Sequence, residues 1–142
     1  MPRMIFVNLP VADVERAAGF YAALGAERDA RFSQPGTAAA MVFSDAIVVM
    51  LLSHAHFAHF APRPIADART ATEVLICLSE ESRAAVDARV ARAVDAGGRA
   101  DLRAPQAMGE MMYSRNLEDL DGHVIELMWM DAAAVTQGQP GA

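Results

Sequence analysis

An Asp-Gly pair at residues 121–122 divides the stretch LEDLDGHVIELMWM, residues 117–130, into a polar approach and an apolar exit. Glycine reaches positive φ without steric cost and aspartate tolerates it, so Asp-Gly between strand-like segments marks a tight reversal. The exit reads as a strand. Alternation places Val124, Glu126, Met128 and Met130 on one face, with Ile125, Leu127 and Trp129 on the other. A carboxylate amid so much apolar surface is costly unless it has a partner or faces a wet cavity. Glu126 is therefore either a site residue or a carboxylate at a poorly sealed sheet edge.

From the N-terminus, residues 4–10 alternate as a first strand, Met4, Phe6 and Asn8 against Ile5, Val7 and Leu9. Asp13 suits a helix N-cap, with Val14, Ala17, Ala18, Tyr21 and Leu24 at helical spacing and Gly25 as the stop. Strands are expected over residues 26–33, 37–43 and 46–53, with turns at Pro35-Gly36 and Ser44-Asp45. Residues 54–70, HAHFAHFAPRPIADART, lack any sheet period and contain two prolines; they predict one helical turn and a linker.

A strand resumes over residues 72–79, with Glu73, Leu75 and Cys77 sharing a face. Ser79 is the expected cap of a helix that carries Glu80 and Glu81 in its first turn, where the helix dipole favours acids. Val86, Val90, Ala93 and Val94 form its predicted buried stripe, and Gly97-Gly98 ends it. A short strand near residues 99–102, a loop over 103–110 and a strand over 111–117 lead to the Asp-Gly turn.

The order strand, helix ending in glycine, then three strands thus occurs twice. It predicts an α+β fold of two tandem βαβββ modules, each with its helix on one side of a sheet and the other side free to curve into a cup. The modules are expected over residues 1–53 and 72–131, joined by a linker over 54–71 and followed by a flexible tail over 132–142, all within one structural domain.

A chain of 142 residues with 54% hydrophobic content can bury one ordinary core, or two small halves sharing one. A net charge of −6 and the lack of any Lys/Arg run argue against nucleic acid as a partner. No apolar stretch approaches the roughly 18 residues of a membrane span, and the opening MPRMIFVNLP reads as a strand rather than a signal peptide. The expected setting is cytoplasmic and soluble. Cys77 cannot form an internal disulfide, being the only cysteine, and in its apolar run it is expected to be a small core residue.

The opening FVNLPVADVERAAGFYAALG resembles the first-module signature of the glyoxalase/bleomycin resistance protein/extradiol dioxygenase family, the vicinal oxygen chelate superfamily. The closing NLEDLDGHVIELMW resembles the second-module ending of that family, where Asp-x-Asp-Gly precedes a strand carrying glutamate. The resemblance spans residues 4–131 and implies a cup-shaped cleft, a small-molecule ligand and a homodimer. In enzymes of the family it implies a divalent metal held by four inward positions, usually His or Glu, with open coordination for a chelating substrate. Those positions fall on Phe6, about Met50, Glu73 and Glu126. Phenylalanine cannot ligate a metal and a thioether is a poor ligand for such ions. Two ligands of four remain, so the resemblance implies a fold more firmly than a catalytic metal.

Three readings of function stay open. The first is a metal-free binder of a small organic molecule in an apolar cleft lined by Phe6, Asn8, Val48, Met50, Glu73, Glu126 and Met128. The second is a metal-dependent lyase, isomerase or dioxygenase related to lactoylglutathione lyase, using Glu73 and Glu126 as an incomplete ligand set that a partner chain could complete. The third is a structural or regulatory module without ligand. If Glu73 and Glu126 face one cavity they must hold a metal, share a proton, or meet a cation such as Arg115 or a ligand amine. His54, His56 and His59 lack an accompanying carboxylate or cysteine at ligand spacing and read as solvated linker residues, and His123 as structural. The inward face of Tyr113 and Arg115 is left undecided.

Overall fold

The computed structural model describes residues 3–133. Beyond residue 133, the expected tail lies outside the described residues. Strand β1 (Ile5–Val11) leads into helix α1 (Val14–Ala23), and β2 (Glu27–Gln34), β3 (Ala38–Ser44) and β4 (Ile47–Ser53) complete the first module. A short helix α2 (His54–Ala58) opens the linker. The second module comprises β5 (Leu75–Ser79), α3 (Arg83–Asp95), β6 (Arg99–Ala100), β7 (Gln106–Met108), β8 (Met112–Glu118) and β9 (Val124–Met130).

The two curved sheets have the same topology, β1-β4-β3-β2 and β5-β9-β8-β6, with β7 added alongside β8. In each, the first strand runs parallel to the last, β1 to β4 and β5 to β9, while the remaining pairs are antiparallel. The predicted duplication is therefore a duplication of strand order. Both helices also end alike. After α1, Gly25 N–H donates to Ala22 O and Ala26 N–H to Tyr21 O; after α3, Gly97 N–H donates to Val94 O and Gly98 N–H to Ala93 O. This is the Schellman arrangement, and Gly25 and Gly97 occupy its left-handed position at φ 104° and 105°.

Asp13 caps α1 as expected, accepting from Arg16 N–H at 3.1 Å. The second helix corrects the sequence reading. Its cap is Ser82, accepting from Ala85 N–H at 3.0 Å, and not Ser79. Glu80 N–H still donates to Met128 O at 2.7 Å, which carries the sheet ladder one residue past β5 and holds Glu80 and Glu81 outside the helix. Val94, expected in the buried stripe, is 45% exposed, whereas Val86, Val90 and Ala93 are buried. Strand β5 is shorter than expected and begins at Leu75, so Glu73 lies in the segment before it. Part of the expected 103–110 loop is strand: β7 pairs Gln106 with Ser114 and Met108 with Met112. Cys77 is exposed rather than a core residue, because it points to the helix-free face of β5.

One cluster of buried side chains draws on both modules, from Leu9, Val11, Phe20 and Tyr21 to Val86, Val90, Leu117, Ile125 and Leu127. Polar bonds join the same elements. Tyr21 Oη–H donates to Asp119 Oδ2 at 2.7 Å, Ala12 N–H to Asp121 Oδ1 at 2.8 Å, and His123 Nε2 donates to Pro10 O at 2.7 Å. Asp119 is 4% exposed, and its other oxygen accepts the backbone N–H groups of Asp121 and His123. The Asp-Gly turn is thus bolted to the start of the first module. The linker crosses it: a Cβ on Gly122, whose φ is 93°, would lie 2.8 Å from Arg69 Cγ and 3.1 Å from Arg69 N. No helix among the described residues is long and apolar enough to cross a membrane.

Candidate functional site

The strand alternation decides which side chains meet solvent. On β1, Leu9 and Val11 turn into the core beneath the helices, while Phe6 and Asn8 are exposed on the opposite face. The parallel register sets Phe6 beside Val48 and Asn8 beside Met50. Phe6, Val48 and Met50 accordingly line one hollow of 340 Å³, with Phe32 and the Asp29–Arg31 ion pair at its edge. Asn8 and Met50 line an adjoining hollow of 480 Å³ walled by Phe32, His56 and Phe60. Phe32 and Phe60 are 65% and 70% exposed, so this face is apolar, aromatic and open.

A third, smaller cavity of 170 Å³ lies where the linker passes between β1 and the second module. Leu9, Phe57, Ile65 and Val124 contribute apolar walls, and Asn8, Thr72, Glu73 and His123 contribute polar groups. Here the structure brings together two of the residues singled out from sequence. Glu73 reaches this cavity from the segment ahead of β5.

Glu126 is placed elsewhere. On the helix-free face of the second sheet it sits between Cys77 of β5 and Asn116 of β8 in the strand register. Its strand neighbour Met128 lines a hollow of 600 Å³ together with Cys77, Glu80, Arg89 and Phe43. Desolvation, with the Glu126 charge adding to it, pushes the Cys77 thiol above its ordinary pKa, which makes it a poor nucleophile at neutral pH. Glu80, paired with Arg89 at 3.5 Å, titrates above the ordinary carboxylate range because it is partly desolvated. Cys77 is the register partner of Glu126, whereas Glu73 stands four residues earlier in the chain, ahead of the first paired residue, Leu75. Glu73 lines the 170 Å³ cavity and Glu126 does not.

Arg115 does not reach either acid. It shares the core-side parity of Leu117 and bonds Asp87 of α3 at 3.0 Å and Asp101 at 2.7 Å. Tyr113, on the same face, donates to Asp87 at 2.7 Å. The Arg115 guanidinium holds the Asp101 carboxyl below its ordinary range. Both residues therefore belong to the helix side of the sheet.

Of the positions expected to ligate a metal, 6 and 50 share one hollow and Glu73 lines another. Position 6 is phenylalanine, position 50 is methionine, and the two glutamates stand apart. Among the described residues, no three His, Cys, Asp or Glu side chains form a group able to hold an ion. His56 packs its ring against His59 and Phe60, at 6.2 and 5.3 Å between centroids. His54 lines a separate polar hollow with Asp67, Arg69 and Asp121.

The sequence reading passed over Asp119 and the aromatic wall of Phe32, Phe57 and Phe60. Asp119 carried a signal, as the first acid of Asp-x-Asp-Gly two residues after a buried strand position. The aromatic residues carried none, since Phe57 and Phe60 stand in a segment without period.

Residues 3–38 match the family profile described as bleomycin resistance protein-like N-terminal. No curated protein matches the sequence at a significant level. Among solved structures, a hypothetical protein from S. aureus is 26% identical with a TM-score of 0.74, over 91% of this chain and 94% of that one. A glyoxalase/bleomycin resistance protein/dioxygenase family enzyme from Burkholderia phytofirmans PsJN has a TM-score of 0.74 at 18% identity, over 92% of this chain and 100% of its own. Lactoylglutathione lyase from Agrobacterium tumefaciens has a TM-score of 0.65 at 18% identity, over 91% and 94% of the two chains. The duplicated βαβββ topology and these structural likenesses show that the chain has the fold of the glyoxalase/bleomycin resistance/dioxygenase proteins, and the profile match over residues 3–38 agrees with it.

Proposed function

We propose that this protein binds a small organic molecule against the helix-free faces of its sheets, without a complete catalytic metal site of its own. The observation that carries this reading is the lining of the first-sheet hollows. Phe6, Val48 and Met50 give apolar surface where the metal enzymes of the family place ligands, and Asn8 gives one orienting polar group. Side chains of this kind can enclose and orient a ligand, but they have little with which to hold an ion.

A second copy of the chain is the partner we favour. Ile5, Phe6, Phe32, Phe60 and Leu75 are each more than half exposed, a distribution suited to burial against another copy. Such pairing would also narrow the hollows into a cleft.

Screening purified, untagged protein by thermal shift against a library of small aromatic and aliphatic molecules tests the binding reading. A ligand at a hundred times its dissociation constant stabilises by about 2.7 kcal/mol. Ligands that stabilise the wild type and lose their effect in Met50→Lys are expected. A chain that no compound stabilises would leave the ligand-free structural reading in its place.

The metal-dependent lyase reading keeps one observation in its favour: the Glu126 side chain has no hydrogen bond or ion pair among the described residues. Elemental analysis decides between the two. Near-stoichiometric Zn, Ni, Fe or Mn in the untagged protein would put the lyase ahead of the metal-free binder.

A further inference from the structure

The 170 Å³ cavity beneath the linker is lined by one carboxylate, Glu73, and by no cationic Arg or Lys side chain. Asn8 turns its Nδ2 to Phe6 O at 3.4 Å, which leaves its Oδ1 as an acceptor. His123 spends its Nε2 proton on Pro10 O. Glu73 is exposed and has no side-chain hydrogen bond or ion pair among the described residues. No lysine or arginine lines the cavity; Arg69 borders the neighbouring hollow and donates to Leu120 O. Thr72 adds a hydroxyl, which can donate or accept, and the remaining side chains of the wall are apolar. A cavity of about 150 Å³ with such walls is large enough for one benzene ring.

Resting on the binding reading above, we propose that this cavity is a subsite for small organic amines, taking an apolar body of about one ring and pairing its ammonium with Glu73 and Asn8 Oδ1. A protonated amine supplies only donors, and Glu73 and Asn8 Oδ1 both accept, Glu73 with the one charge in the lining. An anion would meet the Glu73 charge with no cation beside it, and a neutral alcohol would forgo the ion pair. The net charge of −6 favours the approach of cations in the same sense.

The test uses three probes of one size, benzylamine, benzyl alcohol and benzoate, titrated calorimetrically at neutral pH and low salt. Benzylamine is expected to bind about fivefold more tightly than benzyl alcohol, the scale of a solvent-exposed ion pair. Benzoate is expected to bind most weakly. In Glu73→Gln, whose exposed side chain makes no bond that folding needs, the amine preference should fall to about unity while benzyl alcohol is unaffected. Ala71→Leu, which adds methyl groups to the cavity wall, should weaken all three. Equal binding of amine and alcohol in the wild type, or a preference that survives Glu73→Gln, overturns the proposal. If none of the three binds while the wider library contains a ligand sensitive to Met50→Lys, the amine subsite falls and the binding function stands. If neither set binds, both fall.

Discussion

Gly122 shows how a single residue answers to two demands at once. Its φ of 93° belongs to the left-handed region, and the linker backbone at Arg69 lies within 3.1 Å of where a Cβ would stand. Gly122→Ala should therefore cost more than the ~1 kcal/mol of a strained turn alone, read as a lowered urea midpoint with an unchanged slope. An unaltered midpoint would refute the close approach. Tyr21 and Asp119 form the other residue-scale dependency. Burial pushes the Asp119 carboxyl above its ordinary pKa, and burial together with the Asp119 charge pushes the Tyr21 phenol well above its own. Tyr21→Phe removes one of the three donors to a buried carboxylate and should cost about 1–3 kcal/mol. The sign of the pH effect follows from the raised value. The folded chain holds the Asp119 proton more tightly than the unfolded chain, in which an aspartate titrates near about 3.9. Its contribution is fully present below that pH and is lost as pH rises through the higher folded value. The stability of the wild type relative to Asp119→Asn should accordingly decline with rising pH across the mildly acidic range, in paired urea titrations. A difference independent of pH would show that the carboxyl is not perturbed.

At the scale of elements, α3 separates cap from strand end. Ser82→Ala should destabilise by about 1 kcal/mol through loss of the bond to Ala85 N–H, and Ser79→Ala by much less. The reverse ranking in thermal melts would restore Ser79 as the cap. The mistaken expectation had a physical source: Ser79 is followed by two acids, a favourable helix start in isolation, yet Glu80 N–H is drawn into the ladder by Met128 O. Pairing across the sheet overrides a local preference. Glu73 illustrates the same competition. It continues the alternation of β5 in sequence, but the ladder with β9 begins only at Leu75, opposite Val124, because the Asp-Gly turn occupies the preceding positions of the partner.

For the whole molecule, the exposed apolar residues on the sheet faces predict a homodimer. Sedimentation should give twice the chain mass, and Phe6→Asp should shift it toward the monomer without unfolding it, since Phe6 is 55% exposed in one chain. A monomeric wild type would remove the second copy from the proposed cleft. Glu126→Gln should leave the fold intact while altering ligand affinity; an unchanged binding profile would exclude Glu126 from the site.

Periodicity and punctuation determined the fold by themselves. The alternation of Phe6 and Asn8 against Leu9 and Val11, the Asp13 cap, the glycines at 25 and 97 and the Asp-Gly turn are local signals, read from residues a few positions apart. They were enough for two βαβββ modules. What brings distant side chains together is not local. The separation of Glu73 from Glu126, the turning of Arg115 to the helix side and the linker's passage over Gly122 depend on where strand ladders begin and which faces pack. Those choices are made by pairing energies summed over whole sheets, and no window of sequence contains them.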